Sequence, residues 1–179
     1  MILQGKTALI TGGSSGIGFA IAEAMLAKGA KIAITGRRPD VLEEAAKQLR
    51  QGGGSVDAIA ADVSMDQGRE TTLKLAMEKL GGLDILINNA GGVRAGRLED
   101  TTEAEIRAMI EVDLVAPILL TRAALPALRA SKDGLVVNVT SGIALVAAPF
   151  YATYAGVKGG LAKFGESLRR DCWARAYMS

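Results

Sequence analysis

Short apolar runs alternate with longer amphipathic segments along the whole chain. The short runs predict buried strands, and the amphipathic segments between them predict helices. The predicted strands cover residues 7–11, 31–35, 56–61, 83–88 and 135–140. The predicted helices cover about 17–28, 39–51, 65–79, 102–128 and 151–176. This alternation predicts βαβ units and therefore an α/β fold built on a parallel sheet with right-handed crossovers.

Local signals sharpen these boundaries. Thr102 and Glu105 have the spacing of a capping box, which predicts the start of the long fourth helix. Pro117 is expected to kink that helix. The sequence shows no internal repeat and no linker, so its 179 residues predict one domain with one core.

Composition narrows the function mainly by exclusion. The net charge of +2 gives no reason to expect a nucleic acid or an anionic membrane as partner. The chain has no histidine, which excludes Ser-His-Asp hydrolysis, Cys-His catalysis and the usual zinc sites, and no metal site is predicted. Cys172 is the single cysteine, so a reducing, cytoplasmic setting is expected.

One long uncharged segment requires a membrane test. Residues 135–157 carry no formal charge, but they include Asn138, Thr140, Ser141 and two tyrosines. Such polar content is a poor match to a lipid-spanning helix. The N-terminus also lacks the pattern of a signal peptide. We therefore expect no membrane association.

Glycines follow the first predicted strand at the place where a phosphate-binding turn belongs. Gly12 permits a tight exit from the strand, Gly16 a close approach to a pyrophosphate, and Gly18 close packing of the helix on the sheet. The helix N-terminus would offer free N–H groups to the anion. A plain tight turn is the alternative. The predicted cofactor loop comprises Gly12, Ser14, Ser15, Gly16, Ile17 and Gly18.

The end of the second strand bears on the choice of nucleotide. A carboxylate there would bind a ribose 2′-OH and favour NAD, whereas arginine accommodates a 2′-phosphate. The sequence has Arg37 and Arg38 and no acid, so it favours NADP(H), with NAD(H) as the second choice. Solvated surface charges before Pro39 are the alternative reading of these arginines.

Two further loops are candidates for cofactor contacts. Asp62 and Val63 end the third strand and are placed to meet an adenine, with a helix cap at Asp62 as the alternative. Asn89, Ala90 and Gly91 follow the fourth strand, where ligands of open parallel sheets bind. A structural turn stabilised by the asparagine side chains is the alternative interpretation of that loop, and it is compatible with cofactor contact.

Tyr154 and Lys158 are four residues apart on the last predicted helix and therefore share one face. A free tyrosine, with a pKa of about 10, releases its proton reluctantly near neutrality, and a nearby ammonium stabilises the phenolate. Ser141 ends the fifth strand, 13 residues earlier, where its hydroxyl can orient a substrate oxygen. Such a set suits proton transfer during hydride transfer to a carbonyl. Tyr151 lacks a lysine at the matching position and is assigned to packing.

Together these motifs resemble the short-chain dehydrogenase/reductase family. The matching elements, in order, are Thr11-Gly12-x-x-x-Gly16-x-Gly18, Asp62, Asn88-Asn89-Ala90-Gly91, Ser141 and Tyr154-x-x-x-Lys158. The resemblance runs from about residue 5 to residue 170 and implies a three-layer, doubly wound Rossmann-type fold with strand order 3-2-1-4-5. It also implies a nicotinamide cofactor, a small carbonyl or alcohol substrate, and a homodimer or homotetramer.

The family roles implied are Tyr154 as general acid/base, Lys158 as its activator and Ser141 as the residue that orients substrate. Tyr154 and Lys158 are also expected to contact the cofactor, with Lys158 in reach of the nicotinamide ribose. Asp113 occupies a position where the family usually has asparagine, so a catalytic role is carried over to it with its effect on Lys158 open. Relatives also continue beyond the last helix. The resemblance therefore implies that the C-terminal substrate-binding part is absent here, which would leave residues 135–137 as an open apolar edge.

Two other functions are compatible with parts of the pattern. A nucleotide-binding or assembly module without catalysis would explain Asp113 and the short C-terminus. An α/β methyltransferase would explain the glycine loop but leaves Tyr154 and Lys158 without a role. An NADP(H)-dependent oxidoreductase accounts for the glycine loop, Tyr154 and Lys158 together.

Overall fold

The computed structural model describes residues 2–176, which form one five-stranded parallel sheet with helices on both faces. The strand order is β3-β2-β1-β4-β5, which confirms the predicted fold class and topology. The strands are β1 (Thr7–Thr11), β2 (Lys31–Gly36), β3 (Ser55–Ala60), β4 (Ile85–Asn88) and β5 (Leu135–Asn138). The helices are α1 (Gly16–Leu26), α2 (Pro39–Gln51), α3 (Asp66–Leu80), α4 (Glu103–Ile110), α5 (Ala116–Ala130) and α6 (Ala152–Ala176).

The central strand β1 shows why its interior positions are apolar. Ala8 and Ile10 are buried in the core on the side of α1 and α2, whereas Leu9 is buried in the core on the side of α3 and α5. Successive side chains of a strand point to opposite faces, so a strand covered on both sides has no position for a polar residue in its interior. This arrangement brings the carboxyl ends of all five strands, and the loops that follow them, to one edge of the sheet.

The fourth predicted helix differs from expectation. It begins as predicted, with the Thr102–Glu105 capping box, whose hydrogen bonds hold the pKa of Glu105 below its ordinary value. A π-helical segment, Glu111–Val115, then separates α4 from α5. Pro117 is the second residue of α5, so the helix is irregular over the turn that precedes this proline, where a proline ring and its missing N–H disturb the helical hydrogen bonds.

Strand β5 lies at the edge of the sheet and pairs only with β4 among the described strands. Leu135 is 40% exposed, and the next two valines are half-buried. No helix within residues 2–176 combines the length and the apolar character that a membrane crossing needs.

Candidate active site

The glycine loop between β1 and α1 is as tight as the spacing predicts. Gly12 and Gly16 have φ of 67° and 54°, in the left-handed region that glycine adopts without strain. Gly18 is required for a different reason, since a Cβ there would overlap the carbonyl oxygen of Gly12 and the side-chain amide of Asn89. The predicted close packing of α1 against the end of the sheet is thus confirmed.

Hydrogen bonds join this loop to the one that follows β4. The Thr11 hydroxyl accepts the backbone N–H groups of Asn89 at 3.0 Å and Ala90 at 2.9 Å. In return, Asn89 donates its side-chain amide to the carbonyls of Thr11 at 2.9 Å and Gly12 at 3.1 Å. Asn88 is turned the other way and donates to Thr121 and to Asn138 of β5. The asparagine side chains therefore act as structural ties, which leaves the backbone of Ala90 and Gly91 facing the cleft.

A cleft of about 370 Å³ opens over these loops. Ser15 caps α1 without a side-chain hydrogen bond and the first turn contains no acid, so N–H groups at this helix end are available to an anion. A Cβ at Gly16 would meet nothing within 4 Å. A dinucleotide pyrophosphate fits such an open, donor-rich turn. The predicted residues that line the cleft are Gly12, Ser14, Ser15, Arg37, Arg38, Asp62, Val63, Asn89, Ala90 and Gly91.

Not every predicted loop residue lines this cleft. Gly16 faces a neighbouring depression together with Ser14 and Ser15, and Ile17 is 62% exposed on the first turn of α1. Gly18 is buried beneath the loop. Gly16 and Ile17 can therefore meet a phosphate only through their backbone, whereas Gly18 serves packing.

Arg37 and Arg38 are exposed directly after β2, and both residues border the cleft. Within residues 2–176 neither arginine forms a salt bridge. No carboxylate occupies the strand end beside them. A second cleft of about 690 Å³ adjoins the first and shares Arg37 with it.

The loop after β3 depends on a residue that sequence reasoning missed. Asp62 accepts hydrogen bonds from the N–H and hydroxyl of Ser64, and the N-cap of α3 is Met65, so the helix-cap alternative for Asp62 is wrong. Arg69 is buried and donates to the carbonyls of Val63 and Ser64 at 2.8 and 2.9 Å, while it also pairs with Asp66. No pattern in the sequence identified this role, because the burial of Arg69 is visible only in the fold.

Tyr154 and Lys158 lie on one face of α6, as predicted from their spacing. The Lys158 ammonium nitrogen is 5.8 Å from the centre of the Tyr154 ring. Lys158 is buried and donates to the carbonyl of Val139 at 3.1 Å, which ties α6 to the end of β5. The ring of Tyr151 is tilted against Tyr154 with 6.5 Å between centroids, which suits the packing role expected for it.

The aspartate at the π-helical segment is fully buried beside this lysine. Asp113 Oδ1 lies 2.9 Å from Lys158 Nζ, and Asp113 Oδ2 accepts the N–H of Gly92 at 3.0 Å. Gly91 passes so close that a Cβ there would overlap Asp113 Oδ1. One carboxylate thus joins α6 to the loop after β4. Asp113 lies in the π-helical segment, whose turn contains one extra residue. Such segments are common at functional sites.

Ser141 is the third residue after β5, in the loop that leads to α6. Its hydroxyl accepts the N–H of Ile143 at 3.3 Å and thereby starts the short 3₁₀ turn Gly142–Ala144, which packs against α6. The structure therefore brings Ser141 to the same edge of the sheet as Tyr154 and Lys158. A hydroxyl that accepts one bond retains a proton to donate.

Comparisons with known proteins agree with this architecture. The family model for short chain dehydrogenases matches residues 6–175. A short chain dehydrogenase of Pseudocercospora fijiensis is 40% identical over 171 residues, which cover 94% of this chain and 55% of that protein. The chain thus spans little more than half of that relative's length.

Two solved structures extend the comparison. A blue fluorescent protein from a metagenomic library, in complex with NADPH, superposes with a TM-score of 0.90 at 31% identity, over 98% of this chain and 72% of that one. An alcohol dehydrogenase of Thermococcus sibiricus, complexed with 5-hydroxy-NADP, gives a TM-score of 0.88 at 33% identity, over 93% of this chain and 71% of that one. On its sequence motifs, its sheet and these matches, the chain belongs to the short chain dehydrogenase family.

Proposed function

We propose that this chain is an oxidoreductase that transfers a hydride between NADP(H) and a carbonyl or alcohol substrate. The observation that carries the proposal is the position of Lys158, buried and 5.8 Å from the centre of the Tyr154 ring, at the sheet edge that holds the nucleotide cleft. A cation beside a phenol stabilises the phenolate and so makes the tyrosine a usable proton carrier.

The residues divide the work in carbonyl reduction. Ser141 donates a hydrogen bond to the substrate oxygen and holds it near Tyr154. The Tyr154 phenol gives its proton to that oxygen, and the resulting phenolate is stabilised by Lys158. When bound, a reduced nicotinamide supplies the hydride to the carbonyl carbon, so the carbonyl becomes an alcohol. Asp113 acts as a positioning residue, because its carboxylate holds Lys158 against the end of β5.

The preference for NADP(H) is supported by Arg37 and Arg38, which border the cleft without salt-bridge partners in the described residues. Two structural neighbours also carry NADPH or an NADP derivative. Changing Arg37 to Ala is expected to weaken NADPH binding about tenfold or more, because a charge-assisted bond to the 2′-phosphate is lost. NADH binding should change little. Fluorescence titration measures both, with Arg129→Ala on the exposed end of α5 as a charge-matched control.

The catalytic assignment is tested with Tyr154→Phe. This change removes only the hydroxyl, so we expect turnover to fall by about 10²–10⁴ while NADPH affinity is retained. Steady-state carbonyl reduction and the same titration provide the two readouts. Retention of most activity in Tyr154→Phe would refute the role of the phenol. Equal affinity of the parent protein for NADH and NADPH would refute the cofactor preference.

A second function, a nucleotide-binding or assembly module without catalysis, is favoured by one observation. The Lys158 ammonium already has two partners, Asp113 and the carbonyl of Val139. Tight NADPH binding with no reduction across a broad panel of ketones would select this module. Light scattering would measure its assembly, and we propose a homodimer or homotetramer in the cytoplasm for either function.

A further inference from the structure

We infer that the substrate side of this site takes uncharged, apolar carbonyl compounds, and this inference rests on the proposed function. The segment between β5 and the first turns of α6 forms the substrate side, because it carries both Ser141 and Tyr154. From residue 134 to residue 157 the sequence contains no lysine, arginine, aspartate or glutamate. A charged substrate group would find no counter-charge along this segment.

The same segment exposes large apolar side chains beside the catalytic residues. Leu145 is 87% exposed, Val146 70% and Phe150 57%. The 3₁₀ turn before Leu145 packs on α6, where the carbonyl of Ala144 lies 4.0 Å from the Cβ position of Gly159. Leu145 and Val146 therefore follow a turn that is held against the helix of Tyr154. Exposed apolar groups gathered in one segment favour a ligand of matching character.

The backbone of Phe150 adds an independent observation. Its φ is 70°, a left-handed conformation that is strained for an aromatic residue. The strained peptide is held in place, because the carbonyl of Phe150 accepts the N–H of Gly96 at 2.9 Å. This bond joins the loop after β4 to the loop before α6. Strain that is kept at an exposed aromatic residue, four positions before Tyr154, is typical of a ligand contact.

The nearby cations are mostly engaged. Lys158 is paired with Asp113, and Arg94 of the loop after β4 is paired with Glu105 at 2.8 Å. Arg97, directly after Gly96, is exposed and forms no salt bridge within residues 2–176, so it is a cation that would support a carboxylated substrate. The experiment must therefore distinguish an apolar preference from recognition of a carboxylate.

A matched ligand pair makes this distinction. Methyl 4-acetylbenzoate and 4-acetylbenzoate share the ketone and the ring but differ in charge. We expect kcat/KM for the ester, at saturating NADPH, to exceed that for the acid by about tenfold or more. Saturation-transfer NMR with each compound, with and without NADP⁺, measures binding without turnover. Equal or better use of the acid would overturn the inference and would direct attention to Arg97.

Two variants of Phe150 separate apolarity from backbone strain. Phe150→Leu keeps an apolar side chain and the strain, so it should retain the preference for the ester. Phe150→Asn tolerates the left-handed backbone but is polar, so its ester-to-acid ratio should fall severalfold while thermal unfolding shows an intact fold. An unchanged ratio in Phe150→Asn would contradict the role of this side chain.

The outcomes also separate this inference from the proposed function. Failure of NADPH to bind the parent protein would count against the proposed function, whereas the NMR comparison judges the apolar surface directly. Binding of the ester alone supports the inference even if neither compound is reduced. Binding of neither compound would overturn the inference. Self-association that Phe150→Asn abolishes, without any ligand preference, would also overturn it, because the apolar surface would then be a contact between copies of the chain.

Discussion

The nucleotide side and the substrate side of the site are built by different means. On the nucleotide side, Thr11 and Asn89 tie the loops after β1 and β4 together, and Arg69 holds the loop after β3, in each case through hydrogen bonds to backbone groups. On the substrate side, one backbone bond from Gly96 to Phe150 joins two loops whose apolar side chains face outward. A phosphate-bearing cofactor requires fixed donors, whereas an apolar ligand requires mainly surface.

This difference indicates where substitutions can change specificity without a large loss of stability. Backbone groups buried beneath the nucleotide loops must keep their partners, so substitutions there lose stability as well as binding. Exposed side chains on the substrate side make few internal contacts and are expected to alter selectivity alone. The Asp113–Lys158 pair connects the two sides and should be the most sensitive point.

The largest expected effect is at that junction. Lys158→Met leaves the fully buried Asp113 carboxylate without its counter-charge, and the free energy of unfolding should fall by about 3–5 kcal/mol. Urea unfolding at pH 7 measures the loss. Adding Asp113→Asn removes the unpaired charge and should restore a large part of the stability. A loss well under 1 kcal/mol in the single variant would show that the pair is not buried in solution.

The next effect concerns the packing of the glycine loop. Gly18→Ala places a Cβ against Gly12 and Asn89, so we expect a loss of about 2–3 kcal/mol, toward the upper end for overpacking, and weaker NADPH binding. Gly156→Ala on α6 is the control, because its Cβ would meet nothing within 4 Å. That change should stabilise the helix by up to about 1 kcal/mol. Thermal unfolding of both variants checks the contrast, which equal behaviour would contradict.

A smaller effect is expected from the tie between the loops of β1 and β4. Thr11→Val keeps the shape of the side chain but removes the acceptor for two amides, so stability should fall by about 1–2 kcal/mol. Thr71→Val in α3 is the control, since its hydroxyl makes no hydrogen bond in the part of the chain that the structure describes. Urea unfolding compares the two. A Thr11→Val protein as stable as its control would remove the contrast between the two sides.

The smallest effect concerns Asp84, at the amino ends of the strands, and serves as the reference. Partial burial raises the pKa of Asp84, but hydrogen bonds from Ser131 and Thr7, with the Lys6 charge nearby, outweigh burial and lower it. A carboxyl whose folded pKa lies below its unfolded value near 3.8 stabilises the fold above that pH, and the contribution is lost as the pH falls through the folded pKa.

Asp84→Asn should therefore cost stability at pH 6, and the difference from the parent protein should shrink between about pH 4 and pH 2. Unfolding measured across this range tests the direction, and a difference that grows on acidification would contradict it. Asp84 accepts hydrogen bonds from Thr7, at the amino end of β1, and from Ser131, directly after α5. Both lie away from the nucleotide cleft, so NADPH affinity at pH 7 should be unchanged.

Most of the framework was accessible from the sequence because it depends on local patterns. Buried strands such as β1 must be apolar at their interior positions, and the glycine spacing follows from the space available at residues 12 and 18. The spacing of Tyr154 and Lys158 on one helix face follows from helical periodicity alone. Pro117 predicted an irregularity in this helix, but its π-helical form over Glu111–Val115 was missed, because a π turn leaves no distinct signature in the order of apolar residues.

The sequence by itself therefore determined the order of elements, the chemistry available without histidine and the motifs that identify the family. Only the tertiary structure decided that Asp113 is buried against Lys158, that Arg69 supports the loop after β3, and that Phe150 is strained. The physical reason is the separation along the chain over which each kind of interaction acts. Periodicity and turn chemistry act between near neighbours, whereas ion pairs and loop contacts join residues distant in the chain, which only the folded backbone brings together.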